Sequence, residues 1–197
     1  MKRCTIRLVS LLCLAPLSTA AMAHTGNHSF GFISGVLHPL LGVDHLVVML
    51  AVGMWAATMP ARDGWKVLAA FCGAMLAGAV FAMQGIALPG IETGIAMSVL
   101  VAGLMLMASG RVRSSAVGDG MGGGVLVALL ALFHGQAHGL EMPATATAYL
   151  YGLGFMLTTV TLLLASRALV STVRAQWLIH GAGIVSGLVG VWLLSGI

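Results

Sequence analysis

Charged side chains are scarce in this chain of 197 residues. Asp, Glu, Lys and Arg together make up 7% of the sequence, whereas hydrophobic residues make up 59%. A typical soluble domain carries about 25% charged residues, and the mean hydropathy of this chain is +1.05. The composition therefore excludes a soluble globular protein and makes the lipid bilayer the expected solvent and partner of the chain.

Basic residues are also few, which bears on nucleic-acid binding. The formal net charge is +4, but three of the nine basic residues, Lys2, Arg3 and Arg7, lie at the N-terminus. The rest of the chain has six basic and five acidic residues. It has no basic patch that could grip phosphates, so no nucleic-acid partner is expected. The sequence also lacks a phosphate-binding glycine loop and room for an ATPase, so its function does not use built-in nucleotide energy.

Cysteine is nearly absent from the part of the chain that is expected to fold. Two of the three cysteines, Cys4 and Cys13, lie near the N-terminus, and Cys72 lies in an apolar stretch. A lone cysteine in such a stretch usually packs as a small apolar side chain. We therefore expect neither a disulfide nor a thiolate cluster.

The first 23 residues have the three parts of a secretory signal peptide. A basic start is followed by a short apolar region from Leu8 to Ala20 and by the small-x-small sequence Ala21-Met22-Ala23, which signal peptidase cleaves. We predict that residues 1–23 are removed and that residues 24–197 form one transmembrane permease domain. The alternative is a retained signal anchor.

Six apolar stretches follow, each about as long as a helix that crosses ~30 Å of hydrocarbon. Only helices can span lipid in this way without leaving backbone groups unpaired. We predict an all-α fold, a bundle of six transmembrane helices. The two groups of three spans also allow a 3+3 inverted repeat. The predicted spans are Val36–Thr58, Trp65–Met83, Ile91–Ser109, Met121–Leu140, Thr145–Ala168 and Gln176–Ser195.

The basic residues predict how these spans are oriented. All six that follow the predicted leader fall between spans one and two, three and four, or five and six. The positive-inside rule makes that side cytoplasmic. Both termini are then periplasmic, and the expected location is the bacterial inner membrane. The six residues are Arg62, Lys66, Arg111, Arg113, Arg167 and Arg174.

Ionisable residues cluster at the start of the first span, where each needs a reason because charge is costly in hydrocarbon. His38 and His45 are seven residues apart. On one straight helix they would share a face but differ by ~10 Å in depth, too far to bind one ion together. Asp44 would point to a neighbouring face, either toward a partner helix or to orient an imidazole.

A second cluster ends the fourth span. His134, His138 and Glu141 follow one another at helical spacings of four and three residues, so they line one stripe. Both clusters are predicted to lie on the periplasmic side. Imidazole and carboxylate ligands together suit nickel, cobalt, zinc and copper(II). The alternatives are buried polar groups that bridge helices, or a proton relay.

Two further residues are weaker candidates for metal ligands. Glu92 opens the third span, again on the predicted periplasmic side. His24 would become the first residue after cleavage, where its amine and imidazole could chelate an ion together. The alternative for His24 is a disordered polar start.

The two clusters lie within strings that resemble the signature motifs of the HupE/UreJ family. The strings are His38-Pro-Leu-Leu-Gly-Val-Asp44-His45 and Phe133-His-Gly-Gln-Ala-His-Gly-Leu-Glu141. The resemblance covers the whole chain after the leader and implies a secondary permease for nickel, or for cobalt, that serves hydrogenase or urease maturation. It implies that the transport residues are His38, Asp44, His45, Phe133, His134, His138 and Glu141. Glu92 resembles an acidic position of the family with a looser flanking match.

These observations predict a secondary transporter that moves a divalent transition-metal ion from periplasm to cytoplasm. The cargo is expected to be nickel, with cobalt, copper or zinc as alternatives, and no prosthetic group is expected. A divalent cation moving inward gains ~4.6 kcal/mol per 100 mV of membrane potential. A metallochaperone and a second copy of the chain are further candidate partners.

Two other functional classes remain open at this point. The first is a membrane-embedded metalloenzyme, because His134-x-x-x-His138 resembles one histidine box of the di-iron desaturases. Those enzymes need about eight histidines on the cytoplasmic side. The His-Glu-x-x-His motif of zinc metalloproteases is also absent from this sequence. We therefore expect no enzyme activity. The second is a metal sensor or a partner of a metallochaperone.

Overall fold

The computed structural model describes residues 31–109, 121–143, 146–173 and 176–196. Within these ranges the chain forms seven helices and no strand, which confirms the all-α prediction. The predicted signal peptide, His24 and the segment 110–120 lie outside the described residues. The helices are α1 Gly31–Leu41, α2 Val43–Ala57, α3 Ala61–Met83, α4 Ile91–Ala108, α5 Met121–Leu140, α6 Ala148–Val173 and α7 Gln176–Ser195.

Five of these helices, α3 to α7, are long and apolar enough to cross a membrane. Helices α1 and α2 pass the same test only together, as a bent pair with the geometry of a broken sixth span or of a re-entrant loop. The chain is thus a multi-pass membrane protein. Three of these helices differ from the predicted spans at their ends, since α3 begins at Ala61, α4 ends at Ala108, and α6 runs from Ala148 to Val173.

The first span is broken, and the prediction of one continuous helix over Val36–Thr58 is wrong. Helices α1 and α2 meet at an angle of 76°. Gly42 between them has φ −78° and ψ 115°, an extended conformation. Pro39 lies in the last turn of α1, where it removes a backbone donor and crowds the preceding turn. Because of this bend, α1 does not continue along the axis of α2.

Close glycine contacts hold the helices together in pairs. A Cβ atom on Gly35 of α1 would fall on the carbonyl of Tyr151 in α6, and one on Gly135 of α5 would fall on the carbonyl of Met75 in α3. Gly103 of α4 also lies close to the backbone of α7, at Gly183 and Gly187. Without a hydrophobic effect between helices in lipid, such backbone contact is a main source of packing energy.

The basic residues that the structure describes gather at one end of the bundle. Arg62 and Lys66 lie in the first turns of α3. Arg167 of α6 donates a hydrogen bond from Nη1 to the carbonyl of Ala56 at 2.7 Å and lies 4.8 Å from the ring centre of Trp65. These residues surround the α2–α3 junction. The histidine clusters lie at the other end of the bundle, near the start of α2 and the end of α5.

Candidate metal centre

Four imidazoles from two distant parts of the sequence meet inside the bundle. His38 comes from α1, His45 from α2, and His134 and His138 from α5. The ring centres lie 5.3 Å apart for His38 and His45, and 4.8 Å and 4.6 Å from His138 to His38 and His45. One nitrogen from each of these three residues lies within 4.8 Å of the other two. We call His38, His45 and His138 the outer cluster.

The break at Gly42 is what allows this arrangement. The sequence led us to expect His38 and His45 to be separated in depth on one straight helix, and that expectation is wrong. The 76° bend folds the end of α1 over the start of α2, so both imidazoles face His138. One ion can therefore take one ligand from each of the helices α1, α2 and α5.

Helix α5 presents its histidines to this site because its glycines occupy another face. Gly135 and Gly139 pack against the backbone of α3, at Met75 and Ala79. His134 and His138 precede each glycine by one residue, which turns them about 100° around the helix. The close packing of α5 on α3 thus fixes the direction in which the two imidazoles point.

Several nitrogens of the site are buried and have no hydrogen-bond partner among the described residues. His45 is 3% exposed, and His134 and His138 are fully buried. The unpaired atoms are His45 Nε2, His134 Nε2 and both ring nitrogens of His138. An unpaired buried polar group costs free energy. Each of these nitrogens is therefore expected to bind a ligand or a water molecule. The donor set fits a borderline divalent cation.

Asp44 orients one of these imidazoles. Its Oδ1 lies 2.7 Å from His45 Nδ1 and also accepts a bond of 2.8 Å from the His45 backbone N–H. The carboxylate favours a proton on Nδ1, which leaves the Nε2 lone pair of His45 for a metal ion. This contact is the one that the orienting role considered from the sequence requires.

Glu141 lies at the open edge of the site. Its Oε2 is 3.0 Å from His38 Nε2, and the two side chains are 49% and 23% exposed. The adjoining His45 side chain is 4% exposed, and His138 is fully buried. Exposure therefore falls step by step from the carboxylate to the deeper imidazoles.

Comparison with known proteins identifies the family of the chain. A family model described as HupE / UreJ protein matches residues 11–193. The chain belongs to the HupE/UreJ family. The curated relative "Protein HupE" of Rhizobium leguminosarum bv. viciae is 36% identical over 156 residues, which cover 79% of this chain and 78% of the relative. No solved structure matches the chain.

Two further residues predicted for this HupE/UreJ protein, Phe133 and Glu92, are not grouped with the outer cluster, and a third, His24, is not described. Phe133 packs on Gly94 of α4, and a Cβ on Gly94 would overlap the Phe133 ring. This contact joins α5 to α4. Glu92 is exposed in the first turn of α4 and is not among the grouped ligands of the outer cluster. His24 lies outside the described residues.

Two aromatic residues of α6 complete the wall of the site, and the sequence did not point to them. Phe155 stacks on His138, with ring centres 4.5 Å apart and planes 8° from parallel. Tyr151 lies 6.0 Å from His38 between ring centres, and its buried hydroxyl has no partner in the described part of the chain. Their only sequence signal is the spacing of four residues on one helix face.

Gln136, within the second motif, anchors a loop beside the site. Its side chain is fully buried. Its Oε1 accepts a bond of 2.8 Å from the Leu88 N–H, and its Nε2 donates one of 2.7 Å to the Ile86 carbonyl. The amide therefore pairs with two backbone groups of the loop between α3 and α4 and fixes that loop against α5.

Proposed function

We propose that this protein is a permease that carries a divalent transition-metal ion, nickel in the first place, from the periplasm to the cytoplasm. The observation that supports this proposal is the outer cluster. It brings three imidazole nitrogens within 4.8 Å of one another inside a bundle of apolar helices. The deeper ring atoms of this cluster lack partners within the described ranges, so an ion would complete them.

The chemistry of the ligands favours transport over permanent binding. Structural sites for metals of this class are commonly closed by thiolates, but the cysteine at position 72 is not among the grouped ligands. Neutral imidazoles, with Glu141 at the edge, bind nickel, cobalt, copper(II) or zinc through nitrogen and oxygen. A site of this kind holds an ion and still releases it, as a permease requires.

The direction of transport follows from orientation and charge. The positive-inside rule places the basic end of the bundle in the cytoplasm, so the outer cluster opens to the periplasm of the inner membrane. A divalent cation that moves inward then gains ~4.6 kcal/mol of free energy per 100 mV of membrane potential. Delivery to a metallochaperone for hydrogenase or urease maturation is the expected use, without a prosthetic group and without catalysis.

The test is uptake of radiolabelled nickel into cells, with cobalt, copper and zinc as competitors. His45→Ala and His138→Ala should each lower uptake to near background. The double variant should be little worse, because ligands of one ion act as a unit and their effects do not add. Membrane levels of all variants should be matched.

His180→Ala is the control, since His180 lies on α7, outside the outer cluster, and its Nδ1 bonds to the Gln176 carbonyl within its own helix. It should transport at the level of the unmodified protein. Near-normal uptake by both cluster variants would show that these histidines only pack the bundle, and the permease proposal would be abandoned.

A further inference from the structure

Ser98 of α4 contacts the deepest histidine of the site. It is 3% exposed, and its Oγ lies 3.2 Å from His134 Nδ1. The two residues are 36 positions apart in the sequence, and neither motif includes Ser98. The sequence alone gave no reason to connect this serine with the metal centre.

The hydrogen bonds of Ser98 bear on the tautomer of His134. The hydroxyl donates its single proton to the Ile95 carbonyl at 2.6 Å. Toward His134 the oxygen then accepts, which favours the neutral tautomer with the proton on Nδ1, and the Leu130 carbonyl one turn earlier favours the same tautomer. The lone pair is then on His134 Nε2, an atom that is buried and unpaired within the described residues.

His134 lies one step deeper than the outer cluster. Its ring centre is 5.0 Å from that of His45, which belongs to the cluster, but His134 is not among the three grouped ligands. His45 Nε2 and His134 Nε2 are both unpaired and buried. An ion held by the outer cluster therefore has one further nitrogen ligand next to it on the inward side.

A small cavity continues from this point in the direction of the basic end. Ser98 lines it together with apolar residues of α2, α3 and α5, among them Val52, Phe71 and Val127. Val52 follows His45 by seven residues and Val127 precedes His134 by seven, so both lie about two helical turns deeper. The cavity has room for about one water molecule.

We infer that Ser98 is a positioning residue that keeps the Nε2 lone pair of His134 available, so that His134 can take the ion from the outer cluster one step further inward. The inference rests on the proposed function and adds to it an inner step and the residue that prepares it. Without the acceptor oxygen of Ser98, the proton of His134 could move to Nε2 and block that ligand atom.

The experiment compares Ser98→Ala, Ser98→Thr and Ser166→Ala. Ser166 of α6 is the matched control, because it is equally buried and its hydroxyl also donates to the carbonyl three residues earlier. Three quantities are measured: nickel binding to the purified full-length protein in detergent, the maximal rate and half-saturation of uptake, and the histidine tautomers by ¹⁵N NMR. A His134→Ala sample assigns the His134 signals.

Ser98→Ala should bind nickel within about twofold of the unmodified protein, because the outer cluster is intact. Its maximal uptake rate should fall by roughly tenfold or more, as for other residues that orient a metal ligand, and the His134 signals should leave the Nδ1–H tautomer. Ser98→Thr, which keeps an acceptor oxygen, should restore both the rate and the tautomer. Ser166→Ala should change neither.

Two results would overturn the inference. One is an unchanged Nδ1–H tautomer in Ser98→Ala, which would mean that the carbonyl of Leu130, one turn earlier, is sufficient to hold it. The other is normal uptake by Ser98→Ala while the unmodified protein transports nickel. Absence of nickel uptake by the unmodified protein would instead contradict the proposed function itself.

Discussion

At the scale of single residues, each contact of the site has a separable role. The carboxylate of Asp44 accepts two hydrogen bonds from His45, one from the ring and one from the backbone. It therefore fixes the orientation of the His45 imidazole relative to the first turn of α2. Phe155 limits the rotation of His138 by stacking. The ligands are thus held in place by neighbours that need not touch an ion.

Asp44→Ala should reduce nickel uptake by about 10- to 100-fold, the usual effect of removing a carboxylate that orients a metal-binding histidine. Asp44→Asn keeps an acceptor oxygen without the charge and should retain more activity than the alanine variant. The measurement is initial uptake at matched membrane levels. Asp63→Asn is the control, because Asp63 pairs with exposed Lys66 at 2.9 Å at the other end of the bundle. Equal uptake by Asp44→Ala and the unmodified protein would contradict the orienting role.

At the scale of elements, the bend between α1 and α2 builds the site. A side chain at Gly42 would displace the neighbouring pair, since a Cβ would lie 2.9 Å from His45 Nδ1 and 3.0 Å from Asp44 Oδ1. Its φ of −78° and ψ of 115° are accessible to alanine. A substitution at this position would therefore disturb the Asp44–His45 pair without straining the backbone.

Gly42→Ala should insert and accumulate normally but lose roughly tenfold in uptake, because the orienting pair is displaced. Gly73→Ala in α3 is the matched control, since a Cβ there would contact nothing within 4 Å. The readouts are membrane abundance and nickel uptake for both variants. If Gly42→Ala transports as well as Gly73→Ala, the close fit at the bend is not required.

The elements also show what could be predicted from sequence. Apolar stretches of membrane-spanning length are a local property, so the helices were recovered with small shifts at their ends. The bend was missed because proline and glycine are tolerated within transmembrane helices, so Pro39 and Gly42 do not by themselves predict a break. Ser98, Tyr151 and Phe155 were missed because their roles depend on contacts between helices far apart in the sequence. Phe133, which its motif assigned to the transport path, packs on Gly94, a contact that the motif alone does not predict.

At the scale of the whole molecule, charge and site lie at opposite ends. The described basic residues Arg62, Lys66 and Arg167 surround the α2–α3 junction, and the outer cluster lies at the far end of α2. This polarity matches an orientation in which the site faces the periplasm.

Reporter fusions test this orientation. A fusion at Arg113 should read cytoplasmic and one at the C-terminus after Ile197 should read periplasmic, because six spans separate two periplasmic termini. A fusion in the loop at Gly85 provides an internal reference and should read periplasmic. A periplasmic signal at Arg113, or a cytoplasmic one at Ile197, would contradict the arrangement of six spans.

The graded exposure from Glu141 to the buried imidazoles has a consequence for hydration. A carboxylate that is 49% exposed leads to a histidine that is 23% exposed and then to one that is 4% exposed. Removing all water from a cation in one step is very costly. Along this series, an entering ion would exchange its water ligands one after another for oxygen and nitrogen, so the single high barrier to dehydration becomes several low ones.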